Sequence, residues 1–180
     1  MNIIQTPLDG LVIIEPKMFA DNRGYFYESY QQERYAALGI PPFVQDNISQ
    51  SKKNVLRGLH YQLPRSQGKL VYVIRGRVWD VAVDIRRHSK TFGQSFGIIL
   101  DDQKHTQMYI PPGFAHGFCV LSDEADFMYK CTDFYAPDCE HGIRWNDPAL
   151  KIDWPVTLPI LAPKDESYPT LAEIAHDHLF

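Results

Sequence analysis

What this sequence lacks narrows its role before any motif is read. No apolar run approaches the roughly 20 residues that a membrane-spanning helix needs. The opening Met1-Asn2-Ile3-Ile4-Gln5-Thr6-Pro7 has neither the charged nor the apolar region of a secretory leader. A basic block is also missing: 18 Lys and Arg stand against 22 Asp and Glu, a formal net charge of -4. Without a cationic stripe to release phosphate counterions, a general nucleic-acid binder is disfavoured. Cysteine is scarce. Cys119, Cys131 and Cys139 are odd in number and form no CxxC pair, which argues against a disulfide framework and predicts a reduced, cytoplasmic chain. No repeat, low-complexity tract or linker divides the 180 residues, so a single domain over 1–180 is expected.

What is present is apolar and aromatic. Hydrophobic residues make up 44% and charged residues 22%, enough to bury a core. Short β-rich segments dominate, broken by Gly, Pro and Asp. Strands are predicted at Leu11–Ile14, Tyr25–Ser29, Phe43–Ser49, Val55–Tyr61, Ser95–Leu100, Thr106–Ile110, Ala115–Leu121 and Asp126–Tyr135. Lys69–Ile74, Arg75-Gly76 and Arg77–Ile85 read as a hairpin about a tight glycine turn. In its second arm Trp79, Val81, Val83 and Ile85 share one face, and Asp80, Ala82 and Asp84 the other. Two short helices are predicted. One is capped by Ser29 with Gln32 and stops at Gly39. The other is capped by Thr170 with Glu173, with Leu171, Ile174, Ala175 and His178 on one face. Many short strands with peripheral helices predict an all-β jelly-roll barrel or sandwich, wide enough to hold one small ligand.

Polar residues recur where a plain core would place Val or Leu: Gln45-Asp46-Asn47, Arg57, His60, Lys69, His116 and Tyr129-Lys130. One such residue on a strand reads as an outward-facing side chain. Several on neighbouring strands favour a polar pocket, and hence a small-molecule-binding barrel with enzymatic chemistry. A catalytic metal is disfavoured. Many jelly-roll enzymes use a His-x-His pair, but His60 is followed by Tyr61 and Gln62, and His176 and His178 face different ways on a predicted helix.

The ordered motifs resemble a known family. Asp21-Asn22-Arg23-Gly24-Tyr25-Phe26, Val44-Gln45-Asp46-Asn47, Val55-Leu56-Arg57-Gly58-Leu59-His60-Tyr61-Gln62 and Gln67-Gly68-Lys69-Leu70-Val71 come first. Ile110-Pro111-Pro112-Gly113-Phe114-Ala115-His116-Gly117-Phe118, Tyr129-Lys130-Cys131-Thr132, Gly142-Ile143-Arg144-Trp145-Asn146-Asp147-Pro148 and Lys164-Asp165 follow, collinear from about residue 3 to 170. The chain is similar to the dTDP-4-dehydrorhamnose 3,5-epimerases, metal-independent enzymes of cupin-like jelly-roll fold that need no cofactor.

The resemblance implies inversion of the two carbons flanking the C4 ketone of a dTDP-linked 4-keto-6-deoxy sugar. Such chemistry needs a base, a stabiliser of the enolate oxygen, and an acid across the ring. By similarity His60 is the base, Asp165 orients it, Lys69 sits by the C4 oxygen and Tyr129 is the proton donor. Arg23, Glu28, Gln45, Asn47, Arg57, His116, Glu140 and Lys164 are implied in substrate binding, with Tyr135 stacking on thymine and Phe19 and Phe26 adding apolar contact. Arg23, Arg57, Lys69 and Lys164 are expected to gather in one pocket, so that local field rather than net charge attracts the anionic nucleotide. The family is dimeric, with residues near Arg23 entering the neighbour's site. One conflict follows: strict alternation puts Arg57 and His60 on opposite faces, so the strand must bulge or twist near Gly58. The alternatives are an epimerase acting at one carbon only, a non-catalytic sugar-nucleotide-binding cupin lacking the base–orienter pair, and a metal-dependent cupin.

Overall fold

A computed structural model describes all 180 residues. Thirteen strands run β1 (Asn2–Gln5), β2 (Val12–Glu15), β3 (Phe19–Asp21), β4 (Gly24–Phe26), β5 (Gln45–Lys52), β6 (Leu56–Gln62), β7 (Lys69–Arg75), β8 (Arg77–Asp84), β9 (Ser95–Asp101), β10 (Gln107–Ile110), β11 (Phe114–Val120), β12 (Glu124–Cys131) and β13 (Glu140–Gly142). Two short helices, α1 (Gln32–Ala36) and α2 (Pro163–Ser167), accompany them. A six-stranded sheet in the order β1-β2-β10-β7-β12-β5 faces a five-stranded sheet in the order β13-β6-β11-β8-β9, while β3 and β4 pair only with each other. The protein is all-β with a cupin-like jelly-roll fold. No helix is long and apolar enough to cross a membrane.

Alternation explains how the sheets pack. Ile13, Val71, Val73, Met108 and Phe127 of the six-stranded sheet meet Val78, Ala82, Phe114, Phe118 and Val120 of the other in one buried cluster. On the opposite face of β8, Val81 and Val83, followed by Ile85, join Leu59, Tyr61 and Ala115 beneath Ile143, Leu150, Leu171, Ile174 and Leu179 of the C-terminal segment. The five-stranded sheet is therefore covered on both sides, and the two faces expected for the Arg77–Ile85 run are the ones observed. Each buried aliphatic side chain in these clusters contributes about 1.5–3 kcal/mol of transfer free energy.

The start of the first expected helix and the extent of the second require correction. The first helix is capped by Gln31, whose side chain accepts from the Arg34 amide at 2.7 Å, rather than by Ser29. Ser29 instead gives its carbonyl to Gln107 and Tyr35. At the C terminus the Thr170–Glu173 box forms, with the Thr170 amide donating to Glu173 at 2.8 Å. It opens only a single 3₁₀ turn, Leu171–Glu173, because Ile174 is extended. The chain turns there so that Leu171, Ile174 and Leu179 can all reach the sheet. Helical spacing was therefore apolar anchoring of a strap.

Candidate active site

Between the sheets lies a cavity of about 330 Å³, within the range of small-ligand sites. Its walls come from β5, β6, β7, β11 and β12, with α2 and the β12–β13 connection at the mouth.

The decisive local feature is in β6. Gly58 has φ +125°, and a Cβ there would lie 2.5 Å from the Gly117 Cα and 2.7 Å from the His116 carbonyl oxygen. Only glycine fits this approach. The ladder slips at the same place: His116 pairs with His60, but Phe118 pairs with Arg57, so three steps on β6 match two on β11. That bulge brings Arg57 and His60 to one face, and both line the cavity. The conflict raised by strict alternation is thereby removed.

His60 Nε2 lies 2.6 Å from Asp165 Oδ1. An ionised carboxylate can only accept, so Nε2 carries the proton and Nδ1 is left as the basic nitrogen. Asp165 is 1% exposed and sits in α2, whose Pro163 occupies the first helical turn, where no amide donor is needed. The segment before α2 is tied to the barrel by Ile160, which donates to the Asn54 carbonyl and accepts from the Leu56 amide. Read in isolation, Lys164-Asp165 looks like a surface turn; the fold buries the carboxylate beneath the imidazole.

Tyr129 and Lys69 belong to the six-stranded sheet, opposite His60 on the five-stranded one. Neither the Tyr129 hydroxyl nor the Lys69 ammonium has a hydrogen-bond partner in the protein, and both side chains line the cavity. Burial raises the Tyr129 pKa, and the nearby Cys131 adds to the shift while Arg57 opposes it. The phenol therefore stays protonated at neutral pH. Burial lowers the Lys69 pKa, against the pull of Cys131, Glu140 and Asp80.

At the mouth, Lys164 Nζ lies 2.9 and 3.0 Å from the Glu140 oxygens, and the Tyr135 hydroxyl donates to Glu140 at 3.0 Å. Although burial raises the Glu140 pKa, Lys164 and His60 hold it below the usual carboxylate range. Gln45 accepts from the Tyr135 amide at 2.8 Å and donates to Asn47 at 3.1 Å. Arg57 donates to Ser51 at 3.0 Å, and His116 is paired with Asp80.

Four expected ligand residues do not line this cavity. Arg23 lies in the β3–β4 turn, its side chain 85% exposed and paired with Asp21. Glu28 pairs with Arg34 at 2.9 Å. Phe19 and Phe26 are exposed and lie near each other on the same hairpin. The reason is topological: β3 and β4 join neither large sheet. Three cations of the expected four, Arg57, Lys69 and Lys164, share the cavity within one chain. Conversely, the lining residues Ser49, Gln62, Gln67 and Cys131 were missed, as was Asp80 behind His116. The period-two series Gln45, Asn47, Ser49 could have revealed Ser49, whose buried hydroxyl has no partner.

Residues 5–173 match the family model described as dTDP-4-dehydrorhamnose 3,5-epimerase. The chain belongs to this family. It is an isomerase by that membership. The dTDP-4-dehydrorhamnose 3,5-epimerase of Shigella flexneri is 54% identical over 168 residues, covering 92% of this chain and 93% of that protein. The dTDP-6-deoxy-D-glucose-3,5-epimerase of Legionella pneumophila Philadelphia 1, crystallised in complex with dTDP-4-keto-L-rhamnose, is 56% identical with a TM-score of 0.96. That match covers 99% of this chain and 96% of the Legionella chain. Identity is lower, 42%, to a dTDP-4-dehydrorhamnose 3-epimerase of Streptomyces niveus, over 92% of this chain and 82% of that one.

Proposed function

We propose that this enzyme inverts C3 and C5 of dTDP-4-dehydro-6-deoxy-D-glucose to give dTDP-4-dehydro-L-rhamnose. The observation that carries the reading is the opposition of the His60–Asp165 pair on one wall to Tyr129 on the other. In each inversion His60 Nδ1 takes the proton from the carbon beside the ketone, and the electron pair moves into the C4 oxygen as an enolate. Asp165 holds the resulting imidazolium. Lys69, unpaired within the protein, meets the oxyanion, where a fixed cation in a dry site favours the charged intermediate over the ketone. Tyr129 then returns a proton from the opposite face, its raised pKa keeping the phenol protonated until it donates. Exchange with water removes the proton from His60 and restores that of Tyr129 before the next inversion. Arg57 and Lys164 suit the diphosphate, and Tyr135 at the mouth suits the thymine ring.

The arm residues enter the same proposal through a second copy of the chain. Phe19, Tyr25 and Phe26 are 54%, 57% and 68% exposed on a hairpin that pairs only with itself. In a homodimer this arm would bring Arg23, Glu28, Phe19 and Phe26 to the partner's cavity. The three cysteines are free, which fits the reducing cytoplasm as its location.

The test is incubation with dTDP-4-keto-6-deoxyglucose in deuterated water, followed by NMR. Deuterium should enter both C3 and C5. Label at one carbon alone would turn the assignment to a single-site epimerase, and label at neither would overturn it.

A further inference from the structure

One fully buried carboxylate beside the cavity has no task in that chemistry. Asp80, at 0% exposure, lies on the inward face of β8 between its register partners Phe118 and Ile98. Its only side-chain partner is His116, whose Nε2 lies 3.0 Å from each carboxylate oxygen. A carboxylate only accepts, so Nε2 carries the proton and Nδ1 is the acceptor. Nδ1 makes no hydrogen bond within the protein, while the ring, 7% exposed, lines the cavity and stacks on Phe127 at 19°. Across the β6–β11 ladder His116 is the register partner of His60. Two neighbouring imidazoles are thus turned alike, each with Nε2 on a buried carboxylate and Nδ1 free. Stability alone does not account for the second pair, since an apolar pair of similar volume serves a core as well or better.

We propose that Asp80 is a positioning residue that fixes the His116 tautomer, so that Nδ1 accepts a hydrogen bond from the C2 hydroxyl of the bound sugar. This rests on the epimerase reading above and adds a specificity determinant to it. The choice of hydroxyl follows from the reaction. C4 is a carbonyl, C5 bears only the methyl group, and the C3 hydroxyl swings as its carbon inverts. C2 alone keeps both its hydroxyl and its configuration throughout, so it can anchor the ring while the neighbouring centres change.

The experiment pairs a substrate change with a protein change. Wild-type enzyme should process the 2-deoxy analogue, dTDP-4-keto-2,6-dideoxyglucose, with kcat/KM about 10- to 100-fold below that of the 2-hydroxy substrate, because Nδ1 would be buried unpaired. In Asp80→Asn, whose amide can also donate to Nε2 and release the tautomer, the discrimination should shrink to within about threefold. His116→Phe, which removes the acceptor and keeps an aromatic ring, provides the same comparison if Asp80→Asn does not fold. In free wild-type protein, ¹⁵N NMR should show His116 protonated at Nε2 and not at Nδ1. The opposite tautomer, or undiminished discrimination in the variants, would overturn the assignment. Failure of wild type to turn over either sugar would instead sink the epimerase reading, leaving the tautomer measurement as an independent check on the pair.

Discussion

The cavity walls and the β3–β4 arm differ in what holds their residues. Tyr129, Lys69, His60 and His116 stand on strands locked on both sides within the two large sheets, so register within each sheet and packing between the sheets set their mutual positions. Arg23, Phe19 and Phe26 stand on a two-stranded hairpin whose residues are exposed throughout. It touches its own chain where Tyr25 and Tyr27 pack on His105, with ring centroids 4.8 and 4.6 Å away. Groups that must meet a proton within hydrogen-bond reach are built into rigid sheet. Groups expected to grip a nucleotide sit on a projecting element, where a second chain can use them. The difference suggests a division of labour: chemistry from one chain, part of the binding from another.

The sharpest way to break that division is at the base. His60→Asn keeps a polar amide near the place of Nδ1, gives up the Nε2 bond to Asp165, and cannot take up a proton. Deuterium exchange at both C3 and C5 should fall by about 10³- to 10⁴-fold, with dTDP binding little affected by titration calorimetry. Exchange near the wild-type rate would remove His60 as the base and with it the claim that one chain holds the chemistry.

The second effect concerns the joint on which the rigid half depends. In Gly58→Ala the new methyl would meet Gly117 Cα at 2.5 Å while occupying a left-handed conformation. The variant should lose about 3 kcal/mol or more in urea unfolding, and the folded fraction should bind dTDP weakly because Arg57 and His60 no longer share a face. Wild-type stability and binding would show that the bulge is incidental.

This joint also marks how far the sequence was legible. The Lys69–Ile74 and Arg77–Ile85 hairpin was readable because its alternation is strict and its Gly76 turn is unambiguous; the strands found are Lys69–Arg75 and Arg77–Asp84. β1 (Asn2–Gln5) was missed, since an exposed edge strand of mixed polarity carries no pattern. α2 was missed as well: five residues with one buried side chain show no periodicity, although that side chain is Asp165. The need for a bulge could be inferred from alternation and Gly58, but only if Arg57 and His60 were already assigned to one site. Asp80 was seen as a face residue of an alternating strand, and nothing local distinguishes it from an outward acid. Its significance comes from His116, 36 positions away.

The smallest effect tests the arm, and it decides between one chain and two. Arg23→Ala removes a side chain that is 85% exposed and paired only with Asp21, so the fold should be unaffected. If Arg23 serves a partner's cavity through the diphosphate, KM should rise about tenfold with kcat little changed, as expected for loss of one charge-assisted hydrogen bond. Mixing distinguishes this from a contact within one chain. When Arg23→Ala and His60→Asn chains are unfolded and refolded together, an exchanged-arm dimer has one site with an intact cavity from the first chain and an intact arm from the second. With random pairing about a quarter of all sites would be fully wild type. Activity at low substrate should then exceed the sum of the two separate preparations. If Arg23 acted within its own chain, or not at all, no such site could form and the mixture would show only the average of its parts. That outcome, or a wild-type KM in Arg23→Ala alone, would return the arm to the role of an exposed loop and leave the nucleotide to Arg57, Lys164 and Tyr135.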